Sequence, residues 1–354
     1  MKKRRSFIVS LCAALLVVSI LIITLRPKKQ TLYKVTYLPS LGGQFTLPCS
    51  INDKGQIAGF SEVARGICHL FLWERDKEMQ DLGPVVINRV IINNAGQITA
   101  TMRDPNGNDR AFIWDPNHGR RILPTLGGKI ANAHSINNHG QVVGAAETAS
   151  GIYHACVWNS ASEIHDLTPS SKERTFAWSI NDAGQVVVFT KVYASHLVDA
   201  NETVTSISPS IPLQGLFEIN NAGYVAGLVP VVRSKVDIVI WHTDSGQQKL
   251  VQPYANSYSR AKINDVNQLL LTKGRQPKFR LFGTYFFSTP VKSFLHDPKR
   301  GWLSLNGYVS VGLYEDFCAT DLNNKGCLVC AVQSRKDSRS RGVLLEPIHE
   351  HWEK

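Results

Sequence analysis

The residues of this chain that could do chemistry are few, and their spacing limits what each is good for. Cys327-Leu-Val-Cys330 has the spacing of a redox pair. Such a dithiol works from a helix N-terminus in a βαβ setting, whereas the flanking residues here read as a strand, on which the two thiols face opposite ways. Asp104-Pro-Asn106-Gly-Asn108-Asp109, with Asp115 beyond it, has the outline of a calcium loop. Its sixth residue is Asp where that loop needs glycine, flanking helices are absent, and ordinary Asx-turn chemistry accounts for the same residues. His349-Glu-His351 places two imidazoles at a terminus, where water satisfies them. There is no G-x-S-x-G, H-E-x-x-H, phosphate-binding or dinucleotide-binding loop. A sialidase-like Ser-x-Asp-x-Gly-x-x-Trp box is also missing. Neither a catalytic motif nor a cofactor or metal site is expected.

Two groups remain as candidates. Cys318 and Cys330 flank an NNKG turn at 323–326, are expected nearly opposite each other on paired strands, and form the candidate disulfide. Cys49 and Cys68 are expected on strands with one strand between them, about 9–10 Å apart, which no disulfide spans. The second candidate is the segment 271–292, in which Lys278 and Arg280 mix with Phe282, Tyr285, Phe286 and Phe287. Aromatics at strand spacing pack against a sheet, so part of it reads as an elongated hairpin. The competing reading is a partner-binding loop, because loops on a rigid scaffold commonly carry recognition.

Charge narrows the partners. The formal net charge is +11, but seven basic residues and no acid lie within 1–29, and the remainder carries only +4. That near balance leaves no electrostatic footprint for nucleic acid. Between the two basic clusters, residues 7–25 form an uncharged run of 19. At about 1.5 Å per residue it spans roughly 28 Å, close to the hydrocarbon thickness of a bilayer. The run ends Ile-Thr-Leu-Arg-Pro without the small-residue cleavage site of a secretory signal. The expected organisation is a short cytoplasmic tail (1–6), a transmembrane signal anchor (7–25), a tether (26–32) and one exported domain (33–354). A cleaved, secreted form is the alternative.

That domain is built of repeats. A short phrase recurs seven times, from SINDKGQIAG at Ser50 through SINNHGQVVG at Ser135 to the degenerate DLNNKGCLVC at Asp321. The steps between Ile51, Ile92, Ile136, Ile180, Ile219, Ile263 and Leu322 are 41, 44, 44, 39, 44 and 59 residues. Periods in that range belong to solenoids and propellers. The phrase reads as a hairpin, with Asn and Asp bonding their own backbone and Gly accepting positive φ. After it comes an aromatic and β-branched strand, such as HLFLW (69–73), RAFIW (110–114) or HACVW (154–158). A fourth strand follows, expected to end in Leu-Gly or its equivalent, as in MQDLG (79–83) and RILPTLGG (121–128).

In sum, Leu41-Gly42-Gly43, Ser50-Ile51-Asn52, Gly55-Gln56-Ile57-Ala58-Gly59, His69-Leu70-Phe71-Leu72-Trp73 and Asp81-Leu82-Gly83 resemble the HAF family of extracellular repeats. The resemblance covers nearly everything after residue 32 and is best in the first and third units. It implies a bacterial, exported β-repeat protein and brings no catalytic assignment.

The last unit ends on its third strand, GVLLEP (342–347), while YKVTYLPSLGG (33–43) precedes the first unit. If that segment completes the last blade, a closed ring without open edges results. The expected fold is therefore an all-β, seven-bladed propeller of four-stranded blades behind one transmembrane helix; eight blades, with one hidden in the 59-residue step, is the alternative. The expected function is a non-catalytic binding, adhesion or assembly scaffold of the bacterial envelope with a protein or glycan partner. The alternative is an envelope hydrolase or lyase acting on glycan or peptide. Carboxylates or histidines converging on the ring axis would favour the enzyme, and an axis of small apolar and Asn side chains the scaffold. For the anchor, carbonate extraction should leave the full-length chain in the inner membrane, with protease reaching residues 33–354 only from the periplasmic side. Recovery of a soluble chain lacking 1–29 would show a cleaved signal instead.

Overall fold

The computed structural model describes residues 32–86, 88–190, 195–201, 203–206, 218–231, 235–246, 248–251, 260–273, 292–307, 314–334 and 339–348. Seven antiparallel sheets of four strands follow one another round an axis. Blade one consists of Thr46–Ile51, Ile57–Ala64, Ile67–Trp73 and Gln80–Pro84. The ring is closed as the strand count requires: Tyr33–Tyr37 pairs with Ser340–Pro347, Tyr33 opposite Pro347 and Tyr37 opposite Val343. The last blade thus takes its fourth strand from the start of the domain. The 59-residue step is an insertion in blade six, between Leu269–Lys273 and Lys292–Asp297. Its residues 274–291, and with them Lys278, Arg280, Phe282, Tyr285, Phe286 and Phe287, lie outside the described residues, as does the expected anchor. Among the described residues no helix is long and apolar enough to cross a membrane.

Sequence periodicity explains the packing. Each blade is covered on both faces, so its middle strands read as continuous apolar runs rather than alternating ones. Val142–Thr148 shows this, its first five residues all buried. Every interface between neighbouring blades is a separate hydrophobic cluster. Phe60 and Leu70 of blade one pack with Ile98 and Phe112 of blade two, and Phe71 and Trp73 pack with Val329 and Leu344 of blade seven.

Leu-Gly-Gly does not end a fourth strand. The fourth strand of blade two is Gly119–Ile122, and Gly127 and Gly128 open the long first strand of blade three, Gly127–Ile136. The reason is a carboxylate on strand two of the same blade. A Cβ on Gly128 would lie 2.6 Å from Glu147 Cγ, and Glu147 Oε2 accepts the Lys129 amide at 2.6 Å. Gly43 and Glu62 repeat the arrangement in blade one.

The Cys318–Cys330 disulfide does not form. Cys318 stands opposite Ala331 and Cys330 opposite Ala319, so the thiols project from opposite faces and do not bridge to each other. Cys49 and Cys68 do sit on the first and third strands of blade one, with the second strand between them.

In blades one and three the glycine that closes the repeated phrase meets the neighbouring backbone closely, whereas Val188 and Cys330 hold the same place in blades four and seven. Gly144 pairs with Ala133 beside a β-bulge, and a Cβ there would lie 2.0 Å from the Asn132 carbonyl oxygen. Gly144→Ala should therefore overpack the bulge and cost about 1–3 kcal/mol. Gly107, at φ 82° with nothing near its missing Cβ, should accept Asn at far less cost, since Asn tolerates that region. Thermal melts of the two variants beside the wild type check this; equal losses would refute the bulge account.

Candidate functional site

The first strand of each blade lines the axis and ends in the repeated Asn, and these seven residues tie the ring together. Asn52 Oδ1 accepts the amides of Lys54 and Gln56, as turn chemistry demands. Its Nδ2 does more: it donates to Gln56 Oε1 at 2.7 Å and to the Asn93 carbonyl of the next blade at 2.9 Å. Asn93, Asn137, Asn181, Asn220 and Asn264 pass the same bond onward, and Asn323 returns it to the Asn52 carbonyl at 3.0 Å. One residue later a second ring closes. The Asp53 amide donates to Asn94 Oδ1, and the series runs through Asn138, Asp182, Asn221, Asp265 and Asn324 back to Asp53. All seven of these bonds measure 2.7–2.9 Å. The conserved-looking Gln has its own task, Gln97 Nε2 reaching Asp115 and Gln268 Nε2 reaching Asp297 within their own blades.

Above these rings, the residue two before each Asn faces a cavity of about 170 Å³ on the axis. Blades one, three and four supply Ser50, Ser135 and Ser179, and blade two supplies Ile91. Blades five, six and seven supply Glu218, Lys262 and Asp321. Lys262 Nζ lies 3.1 Å from Glu218 and 4.0 Å from Asp321. Arg89 reaches across from blade two to Glu218 at 2.6 Å, its guanidinium 4.6 Å from the centre of the Trp178 ring. Asp321 Oδ2 accepts the Ser50 hydroxyl at 2.8 Å and the Ile51 amide at 3.1 Å. Two carboxylates therefore do converge on the axis, together with the Asn side chains.

Their environments push them apart. Burial favours the neutral form of Glu218, but Lys262 and Arg89 outweigh it and hold its carboxyl below the usual range. Burial wins at Asp321, with the Glu218 charge adding to it, and its carboxyl is raised in spite of Lys262 and Ser50. His134 is also buried near this cluster, its ring 5.0 Å from Trp178. Its Nδ1 donates to the Ala177 carbonyl at 2.8 Å. Burial, with the Arg89 charge next in size, lowers its pKa to about 4.

Sequence reasoning named none of these axial groups. Each blade contributes one residue, so the cluster has no spacing to find; the only signal was the change from Ser to Glu, Lys and Asp before Ile-Asn or Leu-Asn. The supposed calcium loop is a turn: Asp104 Oδ1 accepts the Asn106 and Asn108 amides, both at 2.9 Å. Among the described residues, no group of three or more His, Cys, Asp or Glu could hold a metal.

No family model matches the chain, and no curated protein matches it. Solved structures do. The β-propeller domain of the trilobed protease from Pyrococcus furiosus, described as having an open velcro topology, aligns with a TM-score of 0.53 at 12% identity. That alignment covers 75% of this chain and 84% of the other. A mutant of puromycin hydrolase complexed with PGG gives 0.55 at 13% identity, covering 86% and 53%. Pyrococcus horikoshii acylaminoacyl peptidase gives 0.50 at 12% identity, covering 82% and 50%. The chain thus spans about half the length of these two hydrolases. At such identities the likeness establishes the β-propeller fold and nothing finer.

The His134 environment has a consequence for stability. Its folded pKa lies below the unfolded value, so the unfolded chain binds the extra proton as pH falls from about 6.5 to about 4. Stability should fall over that window by about 3 kcal/mol and be fully present above it. Thr320, at the matching place in blade seven, reaches the Pro48 carbonyl at 2.7 Å without an ionisable group. His134→Thr should accordingly flatten this limb in urea titrations between pH 4.5 and 7; an unchanged slope would refute the assignment.

Proposed function

We propose that this chain is an exported, membrane-tethered propeller that binds a partner in the bacterial envelope without turning it over. One observation carries the reading: among the described residues, the two carboxylates that stand two before the repeated Asn are each held by neighbouring donors. Glu218 is held by Arg89 and Lys262, and one oxygen of Asp321 by Ser50 and Ile51. A hydrolytic pair needs both carboxylates to reach the reacting groups, and both oxygens of Glu218 are already taken, by Arg89, Lys262 and Ser179. Buried ions neutralised on several sides serve better to fix a ring than to attack a bond.

The resemblance to HAF repeats and the apolar run at 7–25 support export and anchoring. Tyr33 starts its strand opposite Pro347, whose ring lies 3.4 Å from where a Cβ on Gly326 would be. A short tether would therefore hold the face carrying the Asn rings towards the bilayer. The opposite face would be left to the partner, and the partner-binding candidates Lys278, Arg280, Phe282, Tyr285, Phe286 and Phe287 belong to the blade-six insertion, outside the described residues.

A second reading, an envelope hydrolase or lyase, has its own observation: Glu218 and Asp321 share an axis with their ionisation pushed in opposite directions, the pattern of an acid and base pair. The two readings part in one experiment. Full-length protein in lipid nanodiscs, incubated with peptidoglycan fragments and with peptides, should leave both intact by mass spectrometry. Turnover by the wild type that disappears in Asp321→Asn, with the melting temperature kept, would overturn the scaffold.

A further inference from the structure

Resting on the reading of the propeller as a binding scaffold, we propose that its axial cavity takes a neutral, hydroxyl-rich group of about the size of one hexose ring. Three groups in the cavity are left with bonding capacity. Ser135 is 6% exposed and lines the cavity, yet its hydroxyl makes no hydrogen bond among the described residues. Its counterparts are fully used: Ser50 donates to Asp321 and accepts the Ile92 amide, and Ser179 donates to Glu218 and accepts the Ile219 amide. Lys262 has three N–H groups and, among the described residues, only Glu218 within hydrogen-bonding reach, Asp321 standing at 4.0 Å. The second oxygen of Asp321 is likewise unspent, since both of its acceptor bonds fall on Oδ2.

Buried polar atoms in proteins find partners, in ligand or water if not in the chain. What fits here follows from charge. An anion would meet Glu218, Asp321 and the rim carboxylates of Asp53, Asp182 and Asp265; a cation would meet the Lys262 ammonium, which stands between the two axial carboxylates. A neutral polyol avoids both conflicts, because one hydroxyl accepts from the Lys262 ammonium while its neighbour donates to Asp321 and a third exchanges a bond with Ser135. The volume, about 170 Å³, has room for one such ring in place of the waters it would otherwise hold.

Ser135 is a clean probe because the fold takes nothing from its hydroxyl. Ile91 occupies the same position in blade two, so Ser135→Ile fills the cavity with a residue the ring already tolerates. Full-length protein in nanodiscs free of sugar-headed detergent is titrated calorimetrically with glucose, galactose, mannose, glucuronate, glucosamine and a neutral trisaccharide. A neutral hexose should bind saturably, Ser135→Ala should weaken it at least tenfold and Ser135→Ile should abolish it, both with wild-type melting temperatures. Tighter binding of the trisaccharide assigns the site to a glycan terminus, and equal binding to the free sugar, either of which supports the proposal. The absence of saturable binding, meaning that the cavity holds water only, would overturn it. Glucuronate or glucosamine binding as well as the neutral sugars, or binding indifferent to Ser135→Ile, would also overturn it. Recovery of cleaved trisaccharide would sink the scaffold reading while leaving the ligand class standing, so the two fail separately.

Discussion

Every blade depends on the bond from an Asn side-chain amide to the backbone carbonyl of the next blade's Asn. Apolar packing between blades is stronger in total but does not specify how many blades there are or how they are phased. The Asn bond does both, because it closes only if each hairpin stands one fixed step from the next. Asn alone can fill the place: Oδ1 holds its own turn while two N–H groups serve Gln within the blade and the carbonyl beyond it. Asp would have the acceptor without the donors and would bury a charge against a carbonyl. Packing thus supplies most of the stabilisation, and the two rings fix the geometry in which the packing is made.

That division of labour explains how the chain tolerates uneven repeats. Steps of 39 and 59 residues enter the same ring as those of 44 because the variable lengths fall in loops, while the hairpin at the axis stays constant. Closure then needs only a fourth strand for the last blade. Tyr33–Tyr37 supplies it in register with Ser340–Pro347, removing the edge that a sheet would otherwise expose.

The repeat, the strands, the blade count and the closing strand were legible because each is a local or periodic property. Alternation and turn residues mark strands, and a missing fourth strand at one end with a spare at the other marks a ring. The role of the repeated Asn was only half legible. Its turn chemistry is local, but its reach to the next blade is about 40 residues away in sequence, as the spacing between Asn52 and Asn93 shows. Leu-Gly-Gly was placed at the wrong end of a linker because the glycine's partner, Glu147 or Glu62, lies on a strand further along the chain. Cys318 and Cys330 were misjudged by one residue of register: the bulge between Ala319 and Asp321 shifts pairing in a way that no turn motif announces. The axial charges were invisible for the deeper reason that a ring assembles its centre from one residue per blade.

Departures from the repeat are therefore coupled rather than independent. Tyr224 in blade five and Cys327 in blade seven stand where the other five blades have the Gln that accepts from Asn, so Asn220 lacks its usual partner. Blade six carries Asn267 where the others have Gly, at a φ of 62°, and its Oδ1 accepts from Asn220 Nδ2 at 2.8 Å. The two irregularities answer each other across the blade interface. The same logic holds at the cavity. A lone carboxylate on the axis would be buried without compensation, at a cost of several kcal/mol. Glu218 is tolerable because Arg89 and Lys262 accompany it, and Lys262 because Glu218 and Asp321 do. Blades that look degenerate singly are thus parts of one set, and it is this set, rather than the regular blades, that gives the centre of the ring its chemical character.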